Sequence, residues 1–273
     1  LALAQWASKT DASIIVLCGV HFMGETAKIL CPDKKVLVPD LNAGCSLADS
    51  CPAEDFKKFV ENNPGYTVIS YVNTSAAVKA VTDVVVTSTN ARQIVESFPT
   101  EEKIIFGPDR NLGNYINSIT GRNMKLWDGA CHVHEEFSLE KILDLKKQYP
   151  DALILAHPEC KKVILMLADK IGSTAALLKY ATESSAKKFI VATESGILHE
   201  MKKSNPDKTF IPAPPNDSTC ACNECNFMRL NTMKKLYLTL KNELPEIKVD
   251  KDIADRAVLP IKKMLDISSK LGL

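Results

Sequence analysis

Slid along itself by 86 residues, the chain matches itself. Val68-Ile69-Ser70-Tyr71-Val72-Asn73 falls on Ile154-Leu155-Ala156-His157-Pro158-Glu159, and Asp83 falls on Asp169 without a gap. The same shift sets Thr87-Ser88 on Ser173-Thr174 and Ile104-Ile105-Phe106 on Ile190-Val191-Ala192. A long fixed period means that one supersecondary unit is copied, which removes most folds from consideration at once. Each copy reads strand, helix, strand, helix, strand. A shift of 69 extends the pattern backwards, setting Ile15-Val16-Leu17 on Val84-Val85-Val86 and Val38 to Asn42 on Gly107 to Asn111. Three similar α/β units follow: residues 1–66, whose opening strand has no counterpart in the chain, residues 67–151, and residues 152–273 with a C-terminal loop and helices.

Short β-branched runs alternate with helical stretches, the pattern of parallel sheets covered by helices. Strands are expected at residues 13–18, 35–38, 67–71, 83–86, 103–106, 152–156 and 189–192, with helices at 89–97, 139–148 and 174–182. Residues 1–9 read as a helix already under way, with Leu3 and Ala7 on one side and no capping residue before them. In open parallel sheets ligands collect beyond the carboxyl ends of the strands. That rule selects Tyr71 and Asn73 in the second unit, and His157 and Glu159 at the matching positions of the third. It also selects Ser88, Ser173 and Thr174, whose hydroxyls and nearby backbone N–H groups suit an anion. Each has a plainer explanation: a strand-end tyrosine is ordinarily core, a hydroxyl before a helix is a cap, and a lone His-x-Glu is surface.

Thirty-four basic residues balance 33 acidic ones, so no global field draws nucleic acid or a membrane surface, and a small-molecule partner is expected. The longest apolar stretch, residues 14–20, falls far short of the roughly 20 residues that span a bilayer. A soluble, cytoplasmic protein is therefore expected.

Nine cysteines, an odd number in a chain long enough to fold without staples, point to metal binding and buried thiols rather than a secreted disulfide framework. Cys45 follows the third strand of the first unit, Cys131 lies 86 residues later, and Cys225 a further 94. One thiol per repeat could meet at a common hub. Three thiolates on a four-iron cluster leave one iron open as a Lewis acid, whereas unrelated buried cysteines would do nothing of the kind. The Cys220-x-Cys222-x-x-Cys225 run fits half a zinc site, a redox pair, or one cluster ligand with neighbours. Cys18 is read as core, and Cys31, Cys51 and Cys160 have no partner at metal-binding spacing.

Several strings, in order, resemble the quinolinate synthase family: Gly19 to Leu30, Tyr71 to Ser75, Gly107 to Gly113, His157 to Cys160, Gly172-Ser173-Thr174, and Cys225 through Met228 to Thr232. The resemblance covers essentially the whole chain. It implies three αβα three-layer domains with short parallel sheets about a pseudo-threefold axis, the first incomplete here. A 4Fe-4S cluster held by Cys45, Cys131 and Cys225 is implied at the centre. So is a condensation of iminoaspartate with dihydroxyacetone phosphate that releases phosphate and water, and a functional link to L-aspartate oxidase. By the same resemblance, Tyr71 and Asn73 orient substrate, with Tyr71 able to relay a proton, and Ser88, Ser173 and Thr174 hold carboxylate or phosphate oxygens. His157 and Glu159 are the acid–base pair, and His134, three residues after Cys131, lies near the cluster. Cys222 and Cys225 could form a redox switch. Asp109 and Arg110 read as a structural ion pair, and His21, His132 and His199 as structural or exposed.

The chain departs from the family where a histidine and tyrosine on the opening strand, and a serine just before the first residue, have no counterpart. On that ground the natural protein is expected to be longer. Two alternatives stay open at this point: another cluster-dependent hydro-lyase, and a non-catalytic metal- or redox-sensing protein built on Cys220 to Cys225.

Overall fold

Charge is nearly absent from the strand runs and apolar residues fill them, so each strand can be buried on both faces only if helices cover both sides. The computed structural model, which describes residues 2–217 and 224–273, has that arrangement. The first stretch runs Ala2–Lys9 (α1), Ile14–Val16 (β1), His21–Leu30 (α2), Lys35–Leu37 (β2), Ser46–Asp49 (α3) and Ala53–Glu61 (α4). Next come Thr67–Tyr71 (β3), Ala76–Lys79 (α5), Val84–Val86 (β4), Ala91–Glu96 (α6) and Ile104–Gly107 (β5). These lead to Arg110–Thr120 (α7), Lys125–Leu126 (β6), His132–Glu135 (α8) and Leu139–Gln148 (α9). The third stretch holds Leu153–Ala156 (β7), Lys162–Leu165 (α10), Lys170–Ile171 (β8), Thr174–Glu183 (α11), Lys188–Ala192 (β9), Ile197–Ser204 (α12) and Thr209–Pro212 (β10). Met233–Asn242 (α13) and Lys251–Lys270 (α14) end the chain.

The strands form three parallel sheets, ordered β1-β2, β4-β3-β5-β6 and β10-β9-β7-β8. The second and third have one topology: the opening strand of each copy lies between its second and third strands, and a fourth adds to the third. Copying reaches single hydrogen bonds. Asp83 Oδ2 accepts from Val68 N–H at 2.8 Å, and Asp169 Oδ2, 86 residues on, accepts from Ile154 N–H at 2.7 Å. β6, β8 and β10 escaped the sequence reading because two of them are two-residue edges opened by lysine and the third ends in proline, which suits edge positions.

In the third sheet, strand alternation sorts side chains into two layers. Ile154, Ala156, Ile190 and Ala192 meet Ile142 of α9 and Ile164 of α10, while Leu155, Phe189 and Val191 meet Leu177 and Ala181 of α11 and Met201 of α12. This is a helix–sheet–helix sandwich. β1 and β2, whose counterparts in the second sheet are separated by β3, bond to each other directly. On its far edge β2 makes an antiparallel bridge through Leu37 to Glu246. In α1 it is Ala4 and Ala7 that face inward, while Leu3 is exposed, a correction to the expected face.

The chain divides into two compact units. One comprises Leu1–Arg110, Thr120–Gly129 and Asn226–Leu273; the other comprises Asn111–Ile119 and Ala130–Cys225. Within the first, α14 returns to cover β4 and α5. No helix among the described residues is long and apolar enough to cross a membrane.

Candidate active site

In the second of the two compact units the carboxyl ends of β7 and β9 deliver polar side chains to one place. His157 and Glu159 follow β7, both buried, with Glu159 3% exposed. Glu159 lies between two imidazoles: its Oε1 is 3.5 Å from His157 Nδ1, and its Oε2 is 3.2 Å from His134 Nδ1. The His134 Nδ1 contact is off the axis of a hydrogen bond. Its Nε2 is held at 3.1 Å from the hydroxyl of Thr193, the residue after β9. The two rings lie 5.0 Å apart, centre to centre. Cys131 Sγ completes a group: one ligand atom from each of Cys131, His134 and Glu159 lies within 4.8 Å of the others, close enough to share a metal ion.

Burial drives the His157 imidazole down to about 4, against the pull of the Glu159 carboxylate and with a small push from His134. The ring is therefore neutral near pH 7. Its Nδ1 accepts the Glu159 N–H at 3.4 Å, which leaves the ring proton on Nε2 as a donor. Asn111 Nδ2, from α7, donates to Glu159 O at 3.1 Å and to Glu135 Oε1 at 2.5 Å, fixing the peptide that carries the carboxylate.

Ser173 is the N-cap of α11, its hydroxyl accepting from Ala176 N–H at 3.3 Å, and it is buried; Thr174 opens the helix and is exposed. The capping role and a ligand role are compatible, because an accepting hydroxyl keeps its own hydrogen to donate. Cys225 is half-buried, and its N–H donates to Glu194 Oε1 at 3.3 Å, with Glu194 in the segment after β9. Cys220 and Cys222 lie outside the described residues.

In the first of the two compact units Tyr71 ends β3 and is buried, and Asn73 is half-buried in the turn that follows. Ser88 departs from expectation: α6 begins at Ala91 with Asn90 as the preceding residue, so Ser88 lies inside a turn. Asn90 Oδ1 closes that turn by accepting from Thr87 N–H and hydroxyl. Cys45 is half-buried and precedes α3 as Cys131 precedes α8, each with extended backbone at the start of a four-residue helix. The repeat thus holds for these two thiols down to backbone conformation. Cys18 is exposed, against expectation, because β1 ends at Val16 and alternation turns Leu17 inward and Cys18 outward. Arg110 pairs with Asp128 at 3.1 Å, while Asp109 is wholly buried.

Sequence reasoning missed Asn111, Thr193 and Lys79. Lys79 has no exposed surface; burial pulls its ammonium down to about 8, while negative charge on Glu25 and, when ionised, on Cys45 pushes it back up. A signal was available: a lone lysine in the run Ala76-Ala77-Val78-Lys79-Ala80-Val81.

Comparison with known proteins agrees with this arrangement. The family described as Quinolinate synthetase A protein matches residues 1–266. Proteins named quinolinate synthase are similar over 268 residues, 98% of this chain. The one from Chloroherpeton thalassium is 57% identical with 83% of its length covered, that from Nostoc punctiforme 58% with 82%, and that from Microcystis aeruginosa 56% with 84%. A match over this span and at this identity leaves no room for a different lineage, and the chain belongs to the quinolinate synthase family.

Proposed function

We propose that the chain condenses iminoaspartate with dihydroxyacetone phosphate to give quinolinate, phosphate and water. The observation that carries the reading is Glu159, a buried carboxylate held between a neutral imidazole and a second ring at the end of a parallel strand. Ring closure with loss of water needs a proton taken from one atom and given to another. Glu159 takes the proton and, once protonated, returns it to the departing hydroxyl, while the neutral His157 steadies that oxygen with a hydrogen bond from Nε2–H.

Buried Ser173 at the head of α11 supplies a hydroxyl and N–H groups for a carboxylate or phosphate oxygen, with Thr174 beside it. Ser88 offers its hydroxyl alone, from the turn before α6, and Tyr71 and Asn73 orient substrate at the end of β3. Three domains, 1–66, 67–151 and 152–273, each give one thiol: Cys45, Cys131 and Cys225. All three thiols are half-buried, two of them at matched places in the repeat, and thiols are donors of the soft kind that a 4Fe-4S cluster takes. Held by three protein ligands, such a cluster would leave one iron without a protein ligand and would supply Lewis-acid assistance to dehydration. His134 and Glu159 beside Cys131 sit where they would meet that group.

An imine hydrolyses in water, so the supplier of iminoaspartate has to work nearby; we assign that role to L-aspartate oxidase in the cytoplasm. The test is anaerobic purification with iron and sulfide analysis, followed by assay with the two substrates. About four irons per chain and formation of quinolinate are expected. Zinc in place of iron, or no product from a cluster-loaded protein, would sink the reading.

A further inference from the structure

An ammonium removed from water needs acceptors to compensate. Lys79 Nζ has three: Val72 O at 2.8 Å, Thr74 O, and Thr74 Oγ1 at 3.3 Å. The Phe22 ring centre lies 5.6 Å away. These acceptors bracket Asn73, and Thr74 Oγ1 passes the restraint on by donating to Tyr71 O at 3.1 Å. Glu25 works on the other end of the same turn, its Oε2 accepting from Ala76 N–H at 2.9 Å. Helix α2, which carries Glu25, begins at His21, whose N–H donates at 2.6 Å to Ala43 O, two residues before Cys45. A buried ammonium and a half-buried carboxylate therefore hold the two ends of the turn that bears Asn73, and the carboxylate's helix is tied to the loop that bears Cys45.

The repeat tells what the fold alone would place there. α5 and α10 coincide under the shift of 86, and the counterpart of Lys79 is Leu165, which packs on the apolar core of the third sheet. A leucine closes that short helix without a charge. Lys79 is thus a departure from the scaffold at the position behind a substrate-facing turn.

We propose that Lys79 is a positioning residue, its ammonium with Glu25 setting the Val72 to Thr74 turn so that Asn73 and Tyr71 meet substrate correctly. This rests on the assignment of Asn73 and Tyr71 to substrate orientation. The test uses Lys79→Met, which keeps most of the side-chain volume, in the cluster-loaded full chain. Amide exchange in Asn73 to Ala76 rises at least about tenfold, and kcat/KM falls about 10²-fold, the usual cost of a small misplacement. Iron content stays at the wild-type level. The double variant Asn73→Ala with Lys79→Met loses clearly less than the product of the two single losses, since both act through one turn.

Wild-type exchange in that turn, multiplicative losses in the double variant, or loss of iron would each overturn the proposal. Where Lys79→Met does not fold, Glu25→Gln takes its place: a smaller rise in exchange is expected, and an unchanged turn overturns it. A wild-type chain that makes no quinolinate counts against the proposed function alone, because exchange in the turn still judges Lys79.

Discussion

Replacing Glu159 by Gln tests its proton chemistry while keeping two contacts that place its main chain. Asn111 Nδ2 donates to Glu159 O, and Glu159 N–H donates to His157 Nδ1; neither involves the carboxylate. The amide keeps the shape while losing the ability to take a proton. His157 does not confuse the result, since its imidazole is already held at about 4 by burial and loses the upward pull of the carboxylate in the variant. It is neutral at assay pH in both proteins.

General acid–base assistance contributes about 10²- to 10⁴-fold, so kcat is expected to fall by that factor, roughly 3 to 5 kcal/mol of barrier. Stability moves the other way. A carboxylate only 3% exposed carries a desolvation cost that an amide does not, so Tm stays level or rises by a few degrees. Steady-state quinolinate formation, iron analysis and a thermal melt check the three parts. A Glu159→Gln protein with full iron that keeps more than about a tenth of kcat would refute the assignment of Glu159 as base.

Three further outcomes are expected. Asp83→Ala and Asp169→Ala each remove one acceptor from a strand N–H in the same geometry, so each should cost about 1 to 2 kcal/mol in urea melts and the two costs should agree within about 0.5 kcal/mol; clearly unequal losses would undermine the structural repeat. Cys45→Ser, Cys131→Ser and Cys225→Ser should each abolish the iron content measured after anaerobic reconstitution, whereas Cys220→Ser keeps it; iron surviving any of the first three removes that thiol from the ligand set. The Asp40 carboxylate is held below its ordinary range chiefly by the hydrogen bond from Lys235, with help from Asn42 N–H; its folded pKa is depressed, so its contribution is present above about pH 4 and lost as pH falls through the lower folded value. Asp40→Asn should therefore flatten the acid-side decline in a melt series from pH 5 to about pH 2, and an unchanged decline would contradict that account.

What the sequence made legible was local or copied. Alternation and β-branched runs located the long strands, and β3 and α9 came out with the bounds the structure shows. The two-residue edges β6 and β8 hold too few residues for any period to register. Cys18 shows how narrow the margin is: a strand that ends at Val16 rather than Cys18 leaves that thiol outside the core. Contacts that join distant segments left no periodic trace. Nothing near Asn111 announces that it holds the peptide of Glu159, 48 residues away, and nothing near Thr193 announces His134, 59 residues away.

The repeat is the exception, since it carries long-range information in linear form, and its failures inform as much as its matches. Asp83 and Asp169 coincide because both of these copies need that strand N–H satisfied. Tyr71 and Asn73 stand where the next copy has His157 and Glu159, and Lys79 where it has Leu165. Two copies with one strand order accept either set, so the requirements of folding do not select between them. We propose that selection at those positions comes from a bound molecule, met by Tyr71, Asn73, His157 and Glu159 and served by Lys79 through the turn it holds.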